Sequence, residues 1–214
     1  MNEKFYDLEK EKQRTIIDAG FRIFSGSSYK KTPVSEIAAQ ANISKSLLFH
    51  YFHNKKELYL FLWKQAARLS IRVLDAEKCC QPGNLFDRMK KGMEAKFRLI
   101  RRYPYMANFV LRAFYEKDSE VRSAIQSSYQ SLFAKKEAQL LSTLNPEDYR
   151  PGLDLSMMYK QMYWAAEGYL WQVSHQGPLD PVQMEKDFRQ MLAFWRSVYE
   201  NPKKTKKIQN NSCL

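Results

Sequence analysis

The sequence predicts an all-α protein, and three observations lead to that prediction. The chain has 214 residues, enough to bury a sizeable core, and 44% of them are hydrophobic. Glycine (7) and proline (8) are scarce, and runs of the β-branched residues that favour strands are nearly absent. Apolar residues recur instead at intervals of three and four, which is the spacing of one helix face.

Two helices are predicted in the first 41 residues. The first runs from about Leu8 to Phe24 and ends at the segment SGSSYKK. The second is the segment VSEIAAQA, which follows Thr32 and Pro33. Thr32 is expected to be its N-cap, and Pro33 is expected to take the first helical position, where a missing N–H costs nothing.

The turn that follows is the most informative part of the chain. Asn42 tolerates the left-handed conformation that ends a helix, and Ser44 is a good N-cap for the next one. Small Ala38 lets the two helices approach closely where they cross. Two short helices joined by so short a turn predict a helix-turn-helix.

The remaining helices follow from caps and apolar stripes. Asn54 and Glu57 form a capping-box pattern at the start of a long helix that ends near Lys78. The helix 154–174 is apolar on nearly every side and therefore needs neighbours all round. The other predicted helices cover about 86–102, 104–114, 118–144 and 181–199.

The pattern divides the chain into a helix-turn-helix domain (1–53), a larger helical domain (54–200) and a polar, basic tail (201–214) that is predicted to be disordered. No apolar run approaches the roughly 20 residues needed to span a bilayer, and the charged N-terminus has no signal-peptide centre. We therefore expect a cytoplasmic protein that does not enter a membrane.

Composition argues against metal and redox chemistry. The three cysteines, Cys79, Cys80 and Cys213, have no ligand spacing and are interpreted as reduced thiols. The net charge is +12, but residues 1–60 hold only ten Lys and Arg against seven Asp and Glu. Net charge alone is therefore weak support for nucleic-acid binding.

Residues from about 9 to 60 resemble the DNA-binding domain of the TetR family of bacterial transcriptional repressors. The resemblance lies in TPVSEIAAQANISKSLLFHYFHNKKELY. There a capped helix, a small-residue crossing, a turn ending in Ser and an aromatic recognition helix precede Lys-x-x-Leu. Upstream, IIDAGFRIF is similar to the family's first helix. The resemblance implies a larger ligand-binding and dimerisation domain after this segment.

Three positions depart from the family pattern. Asn42 and Ser28 stand where the family usually has Gly, and Phe49 stands where it usually has Tyr. Phe49 lacks the hydroxyl that in the family often reaches a phosphate. We therefore expect Phe49 to pack against the domain or to contact a thymine methyl group.

The start of the predicted recognition helix carries short polar residues that suit the major groove, which admits an α-helix. His50 and Tyr51 are expected to face outward, with polar tips for base edges or phosphates. Lys55 lies near the positive N-terminus of the next helix, a natural place for a phosphate. The residues predicted to contact DNA are Thr32, Ser44, Lys45, Ser46, Phe49, His50, Tyr51 and Lys55.

The C-terminal domain holds more Met and aromatic residues than one core needs, which suits an adaptable apolar cavity. Glu167 lies among aromatic residues, where a carboxylate suits either a cationic ligand or an ion pair across an interface. The neighbouring aromatic residues suit a pocket and a dimer interface equally well. The predicted pocket residues are Met93, Phe97, Phe109, Tyr163, Trp164 and Glu167.

The predicted function is a DNA-binding transcriptional regulator, a repressor that a small hydrophobic effector releases from its operator. The last two helices are expected to form the homodimer, so the operator in double-stranded DNA should be a near-palindrome. Basic residues between 88 and 102 suit a solvated face better than a site for an anionic effector or DNA. No cofactor is implied, and no catalytic motif is present. The alternative is a helical interaction module that does not recognise specific DNA.

Overall fold

The computed structural model describes residues 3–79, 81, 83–177 and 179–202. These residues form nine α-helices and no named strand, which confirms the all-α prediction. The predicted tail lies outside the described residues, apart from its first two positions. The helices are α1 (Lys10–Gly26), α2 (Val34–Gln40), α3 (Lys45–Phe52), α4 (Lys55–Ala76), α5 (Leu85–Arg102), α6 (Pro104–Phe114), α7 (Ser119–Leu141), α8 (Leu155–His175) and α9 (Pro181–Tyr199).

Side-chain caps set several helix starts. The Ser44 hydroxyl accepts a hydrogen bond from the Leu47 amide at 3.0 Å, and the Asn54 side chain accepts one from the Glu57 amide at 2.8 Å. Such caps satisfy backbone donors that the first turn of a helix leaves without partners. Both caps are as predicted, and α3 and α4 begin at the residues that follow them.

The predicted start of α2 is wrong by one position. Pro33 is the N-cap residue and Val34 the first helical residue, and no side chain caps this helix. The Thr32 hydroxyl donates instead to the Ser28 carbonyl at 2.9 Å. Thr32 is only 2% exposed, because its side chain closes the loop before α2.

The described residues form two compact units. The first contains the residues up to Ile71 together with Ile100–Leu132. Its core includes Phe24, Leu48 and Phe109, which are at most 1% exposed. Helices α1–α3 and α6 therefore pack together with residues 55–71 of α4 and residues 119–132 of α7. The domain boundary between 53 and 54 stays a prediction.

Glycine permits one close approach in the first unit. A Cβ atom on Gly20 of α1 would lie 2.6 Å from Cδ1 of Leu62 in α4. Leu62 is fully buried. The absence of a side chain at Gly20 therefore sets the spacing between α1 and the helix that follows the recognition helix.

The second unit contains Arg72–Leu99 and the described residues from Phe133 onward. Its core cluster combines Leu85, Phe86, Tyr149, Met158, Met162 and Trp195. Within this unit α8 and α9 run antiparallel: Tyr169 donates to Asp187 at 2.7 Å, and Tyr199 donates to Gln161 at 3.1 Å. The pairing leaves large apolar side chains of both helices exposed.

Candidate nucleic-acid interface and effector region

The recognition helix α3 has a buried face and an exposed face. Leu48 and Phe52 are 0% and 1% exposed and hold the helix on the first unit. Around its N-terminus and on its outer face, Ser44, Lys45, Ser46 and His50 are exposed. The exposed side chains where the helix begins are polar, which suits insertion of this end into a major groove.

Tyr51 does not face outward, and that expectation was wrong. The side chain is 6% exposed, and its ring lies 6.0 Å from that of Phe5. Phe5 comes from a short 3-10 turn, Glu3–Phe5, that precedes α1. The burial of Tyr51 therefore depends on a segment outside the helix-turn-helix.

The turn between α2 and α3 has the predicted left-handed residue. Asn42 has φ +52°, and the Ile43 amide donates to the Ala38 carbonyl at 3.0 Å. Ala38 is 2% exposed, as expected for a small residue where two helices cross. This hydrogen bond and the left-handed residue define the angle between α2 and the recognition helix.

Phe49 is half-buried on α3, and the ammonium of Lys45 lies 5.8 Å from the centroid of its ring. A cation over an aromatic face is weakly attracted at an exposed site. Phe49 therefore packs against Lys45, the residue predicted to reach the bases.

Lys55, the first residue of α4, is held by the loop before α2. Its ammonium donates to the Lys30 carbonyl at 3.1 Å and lies 4.9 Å from the centre of the Tyr29 ring. Burial lowers the pKa of Lys55, and the carboxylates of Glu120, Asp118 and Glu116 act in the opposite direction. The Lys55 ammonium is thus held in a fixed position near the C-terminal end of α3.

The predicted pocket residues fall into both units. Phe109 belongs to the first unit, where its fully buried ring lies 5.0 Å from Tyr59. The other five residues lie in the second unit. Among them, Phe97 is 3% exposed with its ring 6.0 Å from Phe188, and Tyr163 lies 3.9 Å from Phe133.

The remaining pocket candidates differ in exposure. Trp164 is 56% exposed, whereas Met93 and Glu167 are half-buried. A depression of about 430 Å³ on the surface of α9 is lined by residues of that helix between Val182 and Ala193 and by no predicted pocket residue. Tyr163 and Tyr169 pack inside the second unit, while Trp164 and Trp171 face outward.

The basic segment 88–102 is not uniformly solvated. Arg88 is 7% exposed, and it donates to the Cys79 carbonyl at 3.0 Å and to the Thr143 hydroxyl at 2.9 Å. Arg98 pairs with Glu77. These two arginines join α5 to the turns that follow α4 and α7, and so have structural partners.

Within the described residues, no helix has the length and apolarity to cross a membrane. The same part of the chain contains no group of three or more His, Cys, Asp or Glu side chains arranged to hold a metal ion.

A sequence model of the family described as bacterial regulatory proteins, tetR family, matches residues 16–61. This range includes α2, the left-handed turn, the recognition helix and the start of α4. Residues 16–61 are therefore similar to the DNA-binding segment of TetR-family regulators, in which α2 and α3 form the helix-turn-helix. The match supports a DNA-binding transcriptional regulator.

Curated relatives match different stretches of this chain. The HTH-type transcriptional regulator YuxN of Bacillus subtilis is 39% identical over 51 residues, which are 24% of this chain and 18% of YuxN. The fatty acid metabolism regulator protein of the same species is 19% identical over 155 residues, which are 72% of this chain and 79% of that protein. Of these two matches, the one with the higher identity is confined to a short segment.

Solved structures of TetR-family regulators share the fold. A TetR-like transcriptional regulator from Rhodococcus sp. RHA1 superposes with a TM-score of 0.63 at 19% identity, covering 89% of this chain and 97% of that one. FadR from Bacillus subtilis, solved in complex with stearoyl-CoA, gives a TM-score of 0.65 at 19% identity, covering 85% and 96%.

Two residues of this interface were not predicted from the sequence. Tyr29 and Lys30 hold the Lys55 ammonium by a ring face and a carbonyl. No local signal marks them, because the contact joins positions 25 residues apart. Only the fold, which places Tyr29 and Lys30 beside α4, shows that they contact Lys55.

Proposed function

We propose that this chain is a cytoplasmic TetR-family repressor without catalytic activity that binds a near-palindromic operator as a homodimer and leaves it when a hydrophobic effector binds. The observation that carries the DNA-binding part is the two-faced recognition helix. Its inner face is locked by Leu48 and Phe52, while Ser44, Lys45, Ser46 and His50 are free of the core.

The exposed polar face supports direct readout in the major groove. Lys45 at the first turn of α3 suits the acceptors of guanine, and His50 one turn later suits a base edge or a phosphate. Lys55 is held close to the end of the same helix and suits a phosphate. Base contacts then set the sequence preference, while phosphate contacts set affinity and salt dependence.

Exposed apolar residues on α8 and α9 support a homodimer through these two helices. On α8 the exposed residues Met157, Trp164 and Trp171 recur every seven positions and so lie on one stripe. On α9, Val182 and Phe194 are 72% and 63% exposed. Large apolar patches on a protein surface mark interaction sites.

A two-fold dimer would present two copies of α3 to DNA. Half-sites one helical turn apart, roughly 34–36 Å, or a small multiple of it, match such symmetry. The operator should therefore be a near-palindrome. The symmetry also makes the interface self-complementary, since each protomer offers the same patch.

The proposed effector is a hydrophobic small molecule bound in the larger helical domain. Met93, Phe97 and Tyr163 supply adaptable apolar and aromatic surface there. Because FadR of Bacillus subtilis was solved with stearoyl-CoA, a long acyl thioester is the first class to test. A hydrophobic cation is the second, since Glu167 lies among aromatic residues on α8.

An effector releases the operator only if it binds one conformation better than the other, because equal affinity shifts no equilibrium. We propose that the bound effector displaces α4, which leads out of the helix-turn-helix at Asn54. Displacement of α4 in both protomers would change the spacing of the two recognition helices.

Selection of duplex DNA from a random pool, followed by a gel shift, tests the DNA-binding proposal. We expect a selected near-palindrome whose affinity falls steeply with salt. A matched control is the double variant Lys45→Ala, His50→Ala, which removes two exposed side chains and leaves the caps of α3 intact. Recovery of no preferred sequence would favour the helical interaction module instead.

Tryptophan fluorescence and DNA release, measured together, test the effector proposal. Stearoyl-CoA, free coenzyme A and a hydrophobic cationic dye are titrated into the protein bound to the selected duplex. A ligand that binds and releases DNA identifies the class, and coenzyme A without the acyl chain is the control. Binding without release by all three would contradict their role as effectors.

A further inference from the structure

The side chain of Phe5 connects the N-terminal segment to the recognition helix. Phe5 is 0% exposed. Its ring centroid lies 5.0 Å from that of Phe52 and 6.0 Å from that of Tyr51, both on the last turn of α3. The same ring lies 5.2 Å from Phe61 of α4. Phe5 therefore fills the angle between the recognition helix and the helix that follows it.

The path of the chain from Phe5 to α1 is tied down by a buried amide. Gln13 of α1 is 8% exposed. Its side-chain nitrogen donates to the Tyr6 carbonyl at 3.0 Å and to the Leu8 carbonyl at 2.8 Å. Buried polar groups satisfied in this way give a segment one defined course. The N-terminal segment is thus part of the first unit.

The recognition helix depends on such packing for its orientation. It has eight residues, and helices shorter than about 12 residues are marginal by themselves in water. Leu48 anchors its middle, and α2 supports its N-terminal side through the crossing at Ala38. At its C-terminal turn, Tyr51 and Phe52 are covered by the ring of Phe5.

Base readout is sensitive to the placement of that helix. A site works only when its side chains are held within a fraction of an ångström of the productive geometry. The match to the family's sequence model begins at residue 16, so Phe5 lies outside it. The contact with α3 is made by this chain's own N-terminal segment.

We propose that Phe5 is a positioning residue for sequence-specific DNA recognition. It holds the C-terminal turn of α3 at the angle at which Lys45 and His50 read base edges. The proposal rests on the DNA-binding function proposed above. Its distinguishing consequence is that loss of the Phe5 ring reduces discrimination between sequences more than it reduces attraction to DNA in general.

The test uses the full-length chain, with Phe5→Leu and Phe5→Ala as a graded series and Tyr6→Ala as the matched control. Tyr6 is a neighbouring aromatic residue, 46% exposed, whose only described ring partner is Phe5. Affinities are measured for the duplex that the wild-type protein selects from a random pool and for a shuffled duplex of the same composition.

We expect Phe5→Ala to lower affinity for the selected duplex about tenfold and affinity for the shuffled duplex less than about twofold, because misplaced base contacts lose discrimination. Phe5→Leu should lose about threefold on the selected duplex, and Tyr6→Ala should match the wild type. Unchanged discrimination in Phe5→Leu and Phe5→Ala overturns the proposal, as does an equal loss on both duplexes.

Hydrogen exchange of the protein without DNA tests whether Phe5 holds α3 independently of whether the protein binds DNA. Amides of residues 49–53 should exchange faster in Phe5→Leu, while those of α2 should keep wild-type protection. If the wild type selects no duplex, the DNA-binding proposal fails while exchange still reports whether Phe5 holds α3. If Phe5→Ala unfolds the unit, the test rests on Phe5→Leu. The proposal is refuted if Phe5→Leu has the same exchange rates and the same discrimination between duplexes as the wild type.

Discussion

The Tyr29 amide donates a hydrogen bond of 2.8 Å to Oε2 of Glu116. Tyr29 lies in the loop before the helix-turn-helix, and Glu116 lies between α6 and α7. The other carboxylate oxygen accepts from the amides of Lys117 and Asp118 at 2.9 and 3.1 Å. One carboxylate thus joins the α6–α7 turn to the loop that also holds Lys55.

Glu116→Ala is expected to destabilise the first unit by about 1–3 kcal/mol, because it leaves a part-buried backbone donor without its charged acceptor. Urea unfolding followed by circular dichroism measures the change. Lys117→Ala, which removes an exposed side chain of the same turn, is the control. A loss below about 0.5 kcal/mol for Glu116→Ala would show that water replaces the bond at no cost.

Lys55→Ala is expected to weaken binding to all duplexes alike and to flatten the salt dependence by about one phosphate contact. The reason is that its ammonium is already held at the end of the recognition helix by Lys30 and Tyr29. Affinity is measured at several salt concentrations. Lys64→Ala, an exposed position further along α4, should keep the wild-type slope. An unchanged slope in Lys55→Ala would leave this lysine with a structural role only.

Lys45→Ala is expected to change which bases are preferred, because an exposed cation at the first turn of α3 suits guanine acceptors. Repeated selection from a random pool with the variant reports the altered preference. Loss of one bidentate contact corresponds to about 1–3 kcal/mol of discrimination at that position. Equal losses on selected and shuffled duplexes would assign Lys45 to a phosphate instead.

Asn42→Val is expected to destabilise the protein by about 1–2 kcal/mol, because a β-branched residue fits poorly at a positive φ. Asn42 has φ +52° between α2 and α3. Asn42→Gly is the matched control and should stay within about 0.5 kcal/mol of the wild type, since glycine adopts this conformation freely. Thermal or urea unfolding gives both values. Equal stability of the two variants would show that the positive φ at position 42 imposes no preference against a β-branched residue.

The double variant Trp164→Glu, Trp171→Glu is expected to be a monomer at micromolar concentration where the wild type is a dimer. Both side chains are more than half exposed on one stripe of α8, and charges buried without partners in an interface are costly. Sedimentation measures the molecular mass. Tyr105→Glu changes an aromatic residue, 47% exposed, in the first unit, and should remain a dimer. A monomeric wild type would refute the proposed interface.

The helix caps and the left-handed turn of the helix-turn-helix followed from local sequence rules. Ser44 and Asn54 cap α3 and α4 by accepting hydrogen bonds from amides three residues later. Asn42 adopts the left-handed conformation that its own side chain tolerates. Such features depend on neighbours in the chain, so the caps and the left-handed turn could be predicted without tertiary structure.

By contrast, the tertiary structure alone decided which way several of these side chains face. Tyr51 is buried because Phe5, from before α1, covers it, and Thr32 turns inward to the Ser28 carbonyl. Trp164 and Tyr163 are adjacent on α8, yet one is exposed and the other packs on Phe133. Helical periodicity shows that such residues lie on different faces, but which face is covered depends on distant residues that only the fold brings into contact.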